Sequence, residues 1–109
     1  MIELPWPPSC LVPHAKGHWR TKSKATKEMR TQCGWIAKSH PPLIEFKVEF
    51  HHPKGRGGKR DLHNAISACK ASIDGLQDAW GINDKDFIIH WPTKYDEPVE
   101  GGKVVIKKV

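Results

Sequence analysis

Ile44-Glu45-Phe46-Lys47-Val48-Glu49-Phe50-His51 alternates apolar and polar side chains without a break, and the rest of the fold is read outward from it. A period of two puts Ile44, Phe46, Val48 and Phe50 on one face of a strand, so the strand covers a core on one side and meets water on the other. Pro41-Pro42 just before it ends whatever precedes, because a proline has no backbone N–H to donate. What precedes has a different period. From about Trp19 to Lys38, Met29, Cys33, Ile36 and Ala37 recur at helical spacing while Lys22, Lys24, Lys27 and Arg30 crowd the other faces; this predicts a basic amphipathic helix, weakened at Gly34. On the far side, Pro53-Lys54-Gly55-Arg56-Gly57-Gly58-Lys59-Arg60 is glycine-rich and cationic and reads as an exposed loop. Leu62, Ala65, Ile66, Cys69, Ile73 and Leu76 then mark the apolar stripe of a second helix, ending near Trp80-Gly81 with the glycine as terminator. Phe87-Ile88-Ile89-His90-Trp91 and Lys103-Val104-Val105-Ile106 read as short strands that pair antiparallel, and Ile2-Glu3-Leu4, running into prolines 5, 7 and 8, as an edge strand. The order β-α-β-α-β-β predicts an α+β fold, one domain over residues 1–109, in which helices pack against a mixed sheet.

With 109 residues the chain has room for one modest core, and 28% charged with 38% hydrophobic residues suits a globular protein. No apolar run approaches the roughly 20 residues that span a bilayer, and Met1-Ile2-Glu3-Leu4-Pro5 lacks the regions of a signal peptide. The expectation is a cytoplasmic protein with no membrane contact. Cys10, Cys33 and Cys69 are odd in number and scattered, which predicts reduced thiols rather than a disulfide framework or a structural zinc site. A formal charge of +6 favours a polyanionic partner, since each neutralised phosphate releases condensed counterions.

The chemistry concentrates where the basic loop meets the second helix, at Lys59-Arg60-Asp61-Leu62-His63-Asn64. If Asp61 to His63 is extended, both side chains point one way, and Asn64 caps the helix that follows. Further carboxylates arrive in Asn83-Asp84-Lys85-Asp86, between the second helix and a strand. Oxygen ligands of this kind hold Mg²⁺ for phosphodiester hydrolysis, and Lys70, one helical repeat beyond His63, can bring an ammonium toward the phosphate. Taken singly, Asp61 also reads as a helix cap, Asp84 and Asp86 as turn residues, and Lys70 as a partner for Asp74 four residues on. His51, His52 and His90 read as strand-end surface, and Trp6 and Trp19 as packing or interface side chains rather than wedges into DNA.

Taken in order, the motifs resemble the RusA family of Holliday junction resolvases, endonucleases often carried by prophages. Leu4-Pro5-Trp6-Pro7-Pro8-Ser9 resembles the family's N-terminal signature, and His18-Trp19-Arg20 the aromatic-basic element after its loop. Arg60-Asp61-Leu62-His63-Asn64 resembles the Arg-Asp-Leu-Asp-Asn motif that supplies two catalytic aspartates. Lys70-Ala71-Ser72-Ile73-Asp74-Gly75-Leu76 is similar to the helix carrying the essential lysine. Gly81-Ile82-Asn83-Asp84-Lys85-Asp86 is similar to the turn carrying the third aspartate, which puts that role on Asp86.

The resemblance implies a Mg²⁺-dependent homodimer, with no small-molecule cofactor, that nicks opposite strands of a DNA four-way junction. Catalysis would fall to Asp61, His63, Lys70 and Asp86, with Asp61, His63 and Asp86 as metal ligands. DNA binding would fall to Lys54, Arg56, Lys59 and Arg60. Two departures bear on this. His63 stands where the family has its second aspartate, removing an oxygen ligand and a negative charge; imidazole suits Mn²⁺ or another transition metal better than Mg²⁺. The path from Asn64 to Lys70 is also about one helical turn longer than in the shorter family form. The alternative expectation is a junction-binding protein that has lost metal chemistry.

Overall fold

The computed structural model describes residues 1–11, 18–55 and 61–109. Four strands, β1 (Ile2–Pro5), β2 (Glu45–His51), β3 (Ile88–His90) and β4 (Lys103–Lys108), form one mixed sheet in the order β1-β4-β2-β3. Three helices, α1 (Trp19–Ala37), α2 (Leu62–Ala68) and α3 (Lys70–Trp80), complete the α+β domain, with 3-10 turns at Ser9–Leu11 and Asp84–Asp86.

The alternation in β2 does what its period requires: Phe46, Val48 and Phe50 are buried, at 0%, 3% and 0% exposure. Ile44 differs, since the strand begins one residue later and Ile44 is 57% exposed, with its carbonyl accepting from Ile88 N. Met29, Cys33 and Ala37 of α1 and Ile73 and Leu76 of α3 close over the same face, joined by Leu4 and Ile106. On the other face Val105 is buried between Glu3 and Glu49, its register neighbours, whose carboxylates pair with Lys103 at 2.6 Å and Lys107 at 2.8 Å.

The expected antiparallel pairing of the last two strands is not what forms. β3 lies parallel to β2, with Phe46 opposite Ile89, whereas β4 runs antiparallel to both β1 and β2. The cause is the connection: α2 and α3 fill the chain between β2 and β3, and a helical crossover returns a strand parallel to the one it left. The second helix is also interrupted. Cys69, at φ −83° and ψ −1°, separates α2 from α3, although the apolar stripe continues through the break. Gly81 at φ 65° ends α3 in the left-handed conformation open to glycine.

Helices α1 and α3 cross at unusually short range through Gly34 and Gly75. A Cβ built on Gly75 would stand 2.5 Å from the Arg30 carbonyl oxygen and 2.9 Å from Cys33 Cβ, so nothing larger fits. At the rim of the crossing, Arg30 donates to Asp78 twice, Nε to Oδ2 at 2.6 Å and Nη2 to Oδ1 at 2.8 Å. That contact holds the Asp78 carboxyl below its ordinary range.

Candidate functional site

At the start of α2 the cap is not Asn64 but the Asp61 carboxylate, as that residue taken singly suggested. Its Oδ1 accepts from the His63 backbone N–H at 2.8 Å, and its carbonyl accepts from Asn64 N and Ala65 N at 3.1 and 3.2 Å. Because the short acidic side chain captures an amide that has no partner within the helix, the helix begins at Leu62. His63 is therefore helical, and the period-two argument that placed it beside Asp61 does not apply. Both residues are exposed.

Lys70 opens α3 just beyond the break at Cys69. Thirteen residues later, Asn83 caps the next turn through Oδ1, accepting from Lys85 N at 3.2 Å, and the chain reverses toward β3. This reversal brings Asp84 to a cavity of about 200 Å³ shared with Lys70 and Asp74, against a wall of Ile66, Ile73, Ile89 and Trp91. Lys70, Asp74 and Asp84 thus line one apolar-backed depression between α2, α3 and the parallel edge of the sheet. Asp61, His63 and Asp86 do not line it, and their ligand atoms do not gather within 4.8 Å of one another. The choice of Asp86 over Asp84 rested on motif order; which carboxylate of the turn faces Lys70 depends on the turn's conformation.

Lys54 is exposed beyond the end of β2, its backbone N–H held by the Val99 carbonyl at 3.1 Å. Arg56, Lys59 and Arg60 lie outside the described residues. Trp6 is packing: its ring meets Phe50 edge-on at 6.0 Å and Tyr95 at 6.5 Å. Trp19 is 68% exposed with Arg20 over its ring at 5.5 Å. Trp80 and Trp91 pack against the core, and Trp80 donates to the Ala37 carbonyl at 3.1 Å.

A second group was not legible in the sequence. Glu49, His51 and Asp96 each offer one ligand atom within 4.8 Å of the other two, an arrangement able to hold a metal ion. Glu49 and His51 share the solvent face of β2, two residues apart; Asp96 comes from the β3–β4 connection, where its N–H bonds to the Phe50 carbonyl at 2.9 Å. The Lys107 ammonium holds the Glu49 carboxyl below its usual range. The 44 positions between His51 and Asp96 carry no spacing signal that would have joined them.

Fold and cavity define a small basic α+β domain presenting one lysine and two aspartates on a shared depression. The chain belongs to the family of an uncharacterized protein of Xylella fastidiosa (strain Temecula1 / ATCC 700964): the two are 34% identical over 114 aligned positions, covering 96% of this chain and 72% of the relative. No protein-family model matches the chain, and no solved structure matches it significantly.

Proposed function

We propose that this protein is a divalent-metal-dependent endodeoxyribonuclease of the RusA type that resolves four-way DNA junctions. The observation that supports the reading is that Lys70 and Asp84 line one cavity, since these fall in two of the motifs that resemble that family. A protein that only bound DNA would gain nothing from carboxylates facing phosphate, because they repel it unless a cation intervenes.

The donors fit a hard cation. Asp84 and Asp74 supply carboxylate oxygens, the ligand type Mg²⁺ prefers; Asp61 stands outside the cavity lining, with Oδ1 committed to the α2 cap and Oδ2 left over. A bound Mg²⁺ would polarise the phosphate and lower the pKa of water. Lys70 would orient the scissile phosphate and offset the charge that builds on its oxygens as the bond breaks. Asp84, rather than Asp86, takes the third aspartate's part in this reading. The apolar wall excludes water from the far side of the phosphate, strengthening the contact with Lys70. Lys54, Arg56, Lys59 and Arg60 would track the backbone, and the near two-fold symmetry of a junction calls for a homodimer with two such sites.

The test is cleavage of a synthetic four-way junction and a matched linear duplex in Mg²⁺ and in Mn²⁺. The expected outcome is paired nicks in the junction, with Lys70→Ala and Asp84→Asn each slower by about 100-fold or more and Asp86→Asn changed far less. Junction binding without cutting in either metal would favour the alternative, a non-catalytic junction binder. One observation points that way: one oxygen of Asp61 is committed to capping and His63 adds no carboxylate.

A further inference from the structure

We infer that Glu49, His51 and Asp96 form a binding site for a single Zn²⁺ or Mn²⁺ ion that fastens the β3–β4 connection to the end of β2. The site is separate from the Lys70 cavity, sharing no residue with it.

The argument starts at the His51 ring. Its Nδ1 stands 2.8 Å from the Glu97 carbonyl oxygen. A carbonyl can only accept, so Nδ1 carries the proton, and in a neutral imidazole Nε2 is left with a bare lone pair. That lone pair faces Glu49 Oε1 at 3.4 Å, with the Asp96 carboxylate completing the triangle. Three electron-rich atoms turned on one point repel one another unless a cation stands among them. The outward hydrogen bond to a backbone carbonyl is the arrangement by which metal-bound histidines fix their tautomer.

Distances and donor types agree. A tetrahedral ion about 2.1 Å from each ligand separates neighbouring ligand atoms by roughly 3.4 Å, which is the spacing already present between His51 Nε2 and Glu49 Oε1. Imidazole with two carboxylates suits Zn²⁺ and Mn²⁺ over Mg²⁺ or Ca²⁺, which take all-oxygen sets. Lys107 holds the outer oxygen of Glu49 at 2.8 Å, leaving Oε1 for the ion. The surroundings are already in place: Asp96 N bonds Phe50 O at 2.9 Å, and Val99 N bonds His52 O at 3.1 Å, so the connection lies along β2 before any ion enters. Tyr95, next to Asp96, reaches the Asp61 carbonyl with its hydroxyl at 3.5 Å, so an ion here would stiffen the segment that touches the start of α2.

The inference does not rest on the nuclease reading, because its readout is ion binding without DNA. Calorimetric titration of the full chain with ZnCl₂, and separately with MnCl₂, should give one ion per chain at this site. Binding should persist in Asp84→Asn and weaken at least 10-fold in Asp96→Asn, whose exposed side chain can change without unfolding the domain. Nitrogen-15 spectra should show the His51 Nε2 resonance moving on Zn²⁺ addition while His90, paired with Glu45, stays in place. Unchanged affinity and stoichiometry in Asp96→Asn would overturn the site. So would a His51 ring carrying protons on both nitrogens at pH 7.5 and indifferent to Zn²⁺, for then a proton holds the carboxylates together.

Discussion

Asp61 caps α2 through Oδ1, and the proposed nuclease activity would also call on its charge; the two separate by substitution. Asparagine caps helices about as well as aspartate, whereas alanine leaves the amide unpaired. Asp61→Asn should therefore keep the denaturant midpoint of the wild type and lose junction cleavage, while Asp61→Ala should also lose ~1 kcal/mol of stability in the same urea titration. Equal stability losses in both variants would mean that the cap contributes through charge rather than hydrogen bonding. At this scale the sequence was a partial guide. It marked Asp61, Lys70 and the Asn83–Asp86 turn as the places where chemistry gathers. It could not say which amide the Asp61 carboxylate would capture, or which acid of the turn would face Lys70, because a side chain's partner depends on backbone angles that composition does not fix.

Among elements, the crossing of α1 and α3 holds the helical layer together, and one of its determinants, Gly34, reads in the sequence only as a weak point of a helix. Gly34 lowers the propensity of an isolated helix, as the sequence suggested. In the folded protein it and Gly75 let two backbones approach until Gly75 has no space for a methyl group. Gly75→Ala should thus destabilise the domain by about 1–3 kcal/mol through overpacking, read as a lowered melting temperature. Gly34→Ala, whose added carbon would stand 3.3 Å from the Gly75 carbonyl oxygen, should cost less and is partly offset by better helix propensity. If Gly75→Ala instead raised the melting temperature, the close crossing would be wrong. The buried thiols of Cys33 and Cys69 belong to this interior; burial pushes the pKa of both upward, so they remain protonated packing groups, as the absence of a pairing pattern suggested.

For the whole molecule, charge is the property that the proposed function would draw on. The net +6 is not spread evenly in its availability: Arg30 is tied to Asp78, Lys103 to Glu3 and Lys107 to Glu49, so those cations already have counter-ions. Lys54, Arg56, Lys59 and Arg60 form the densest cationic run in the sequence. Four phosphates neutralised by these residues give a log–log salt slope of roughly −3.6, so raising salt fourfold should weaken junction binding on the order of 100-fold. Gel shift or fluorescence anisotropy at 50 and 200 mM salt measures this, and affinity nearly independent of salt would remove the phosphate-tracking picture.

The sequence alone determined the elements and their faces. The alternation of residues 45–51, the stripe through Met29, Cys33 and Ala37, and the glycine stop at Gly81 are consequences of backbone geometry repeated every two or 3.6 residues, and that geometry is local. Tertiary structure alone decided who sits beside whom: β3 parallel to β2 rather than paired with β4, Asp84 on the same cavity as Lys70, and Asp96 close to His51. These neighbours are tens of residues apart or divided by a turn. Only the crossover helices and the docking of their apolar faces onto the sheet bring them together, and no periodicity in the chain encodes that.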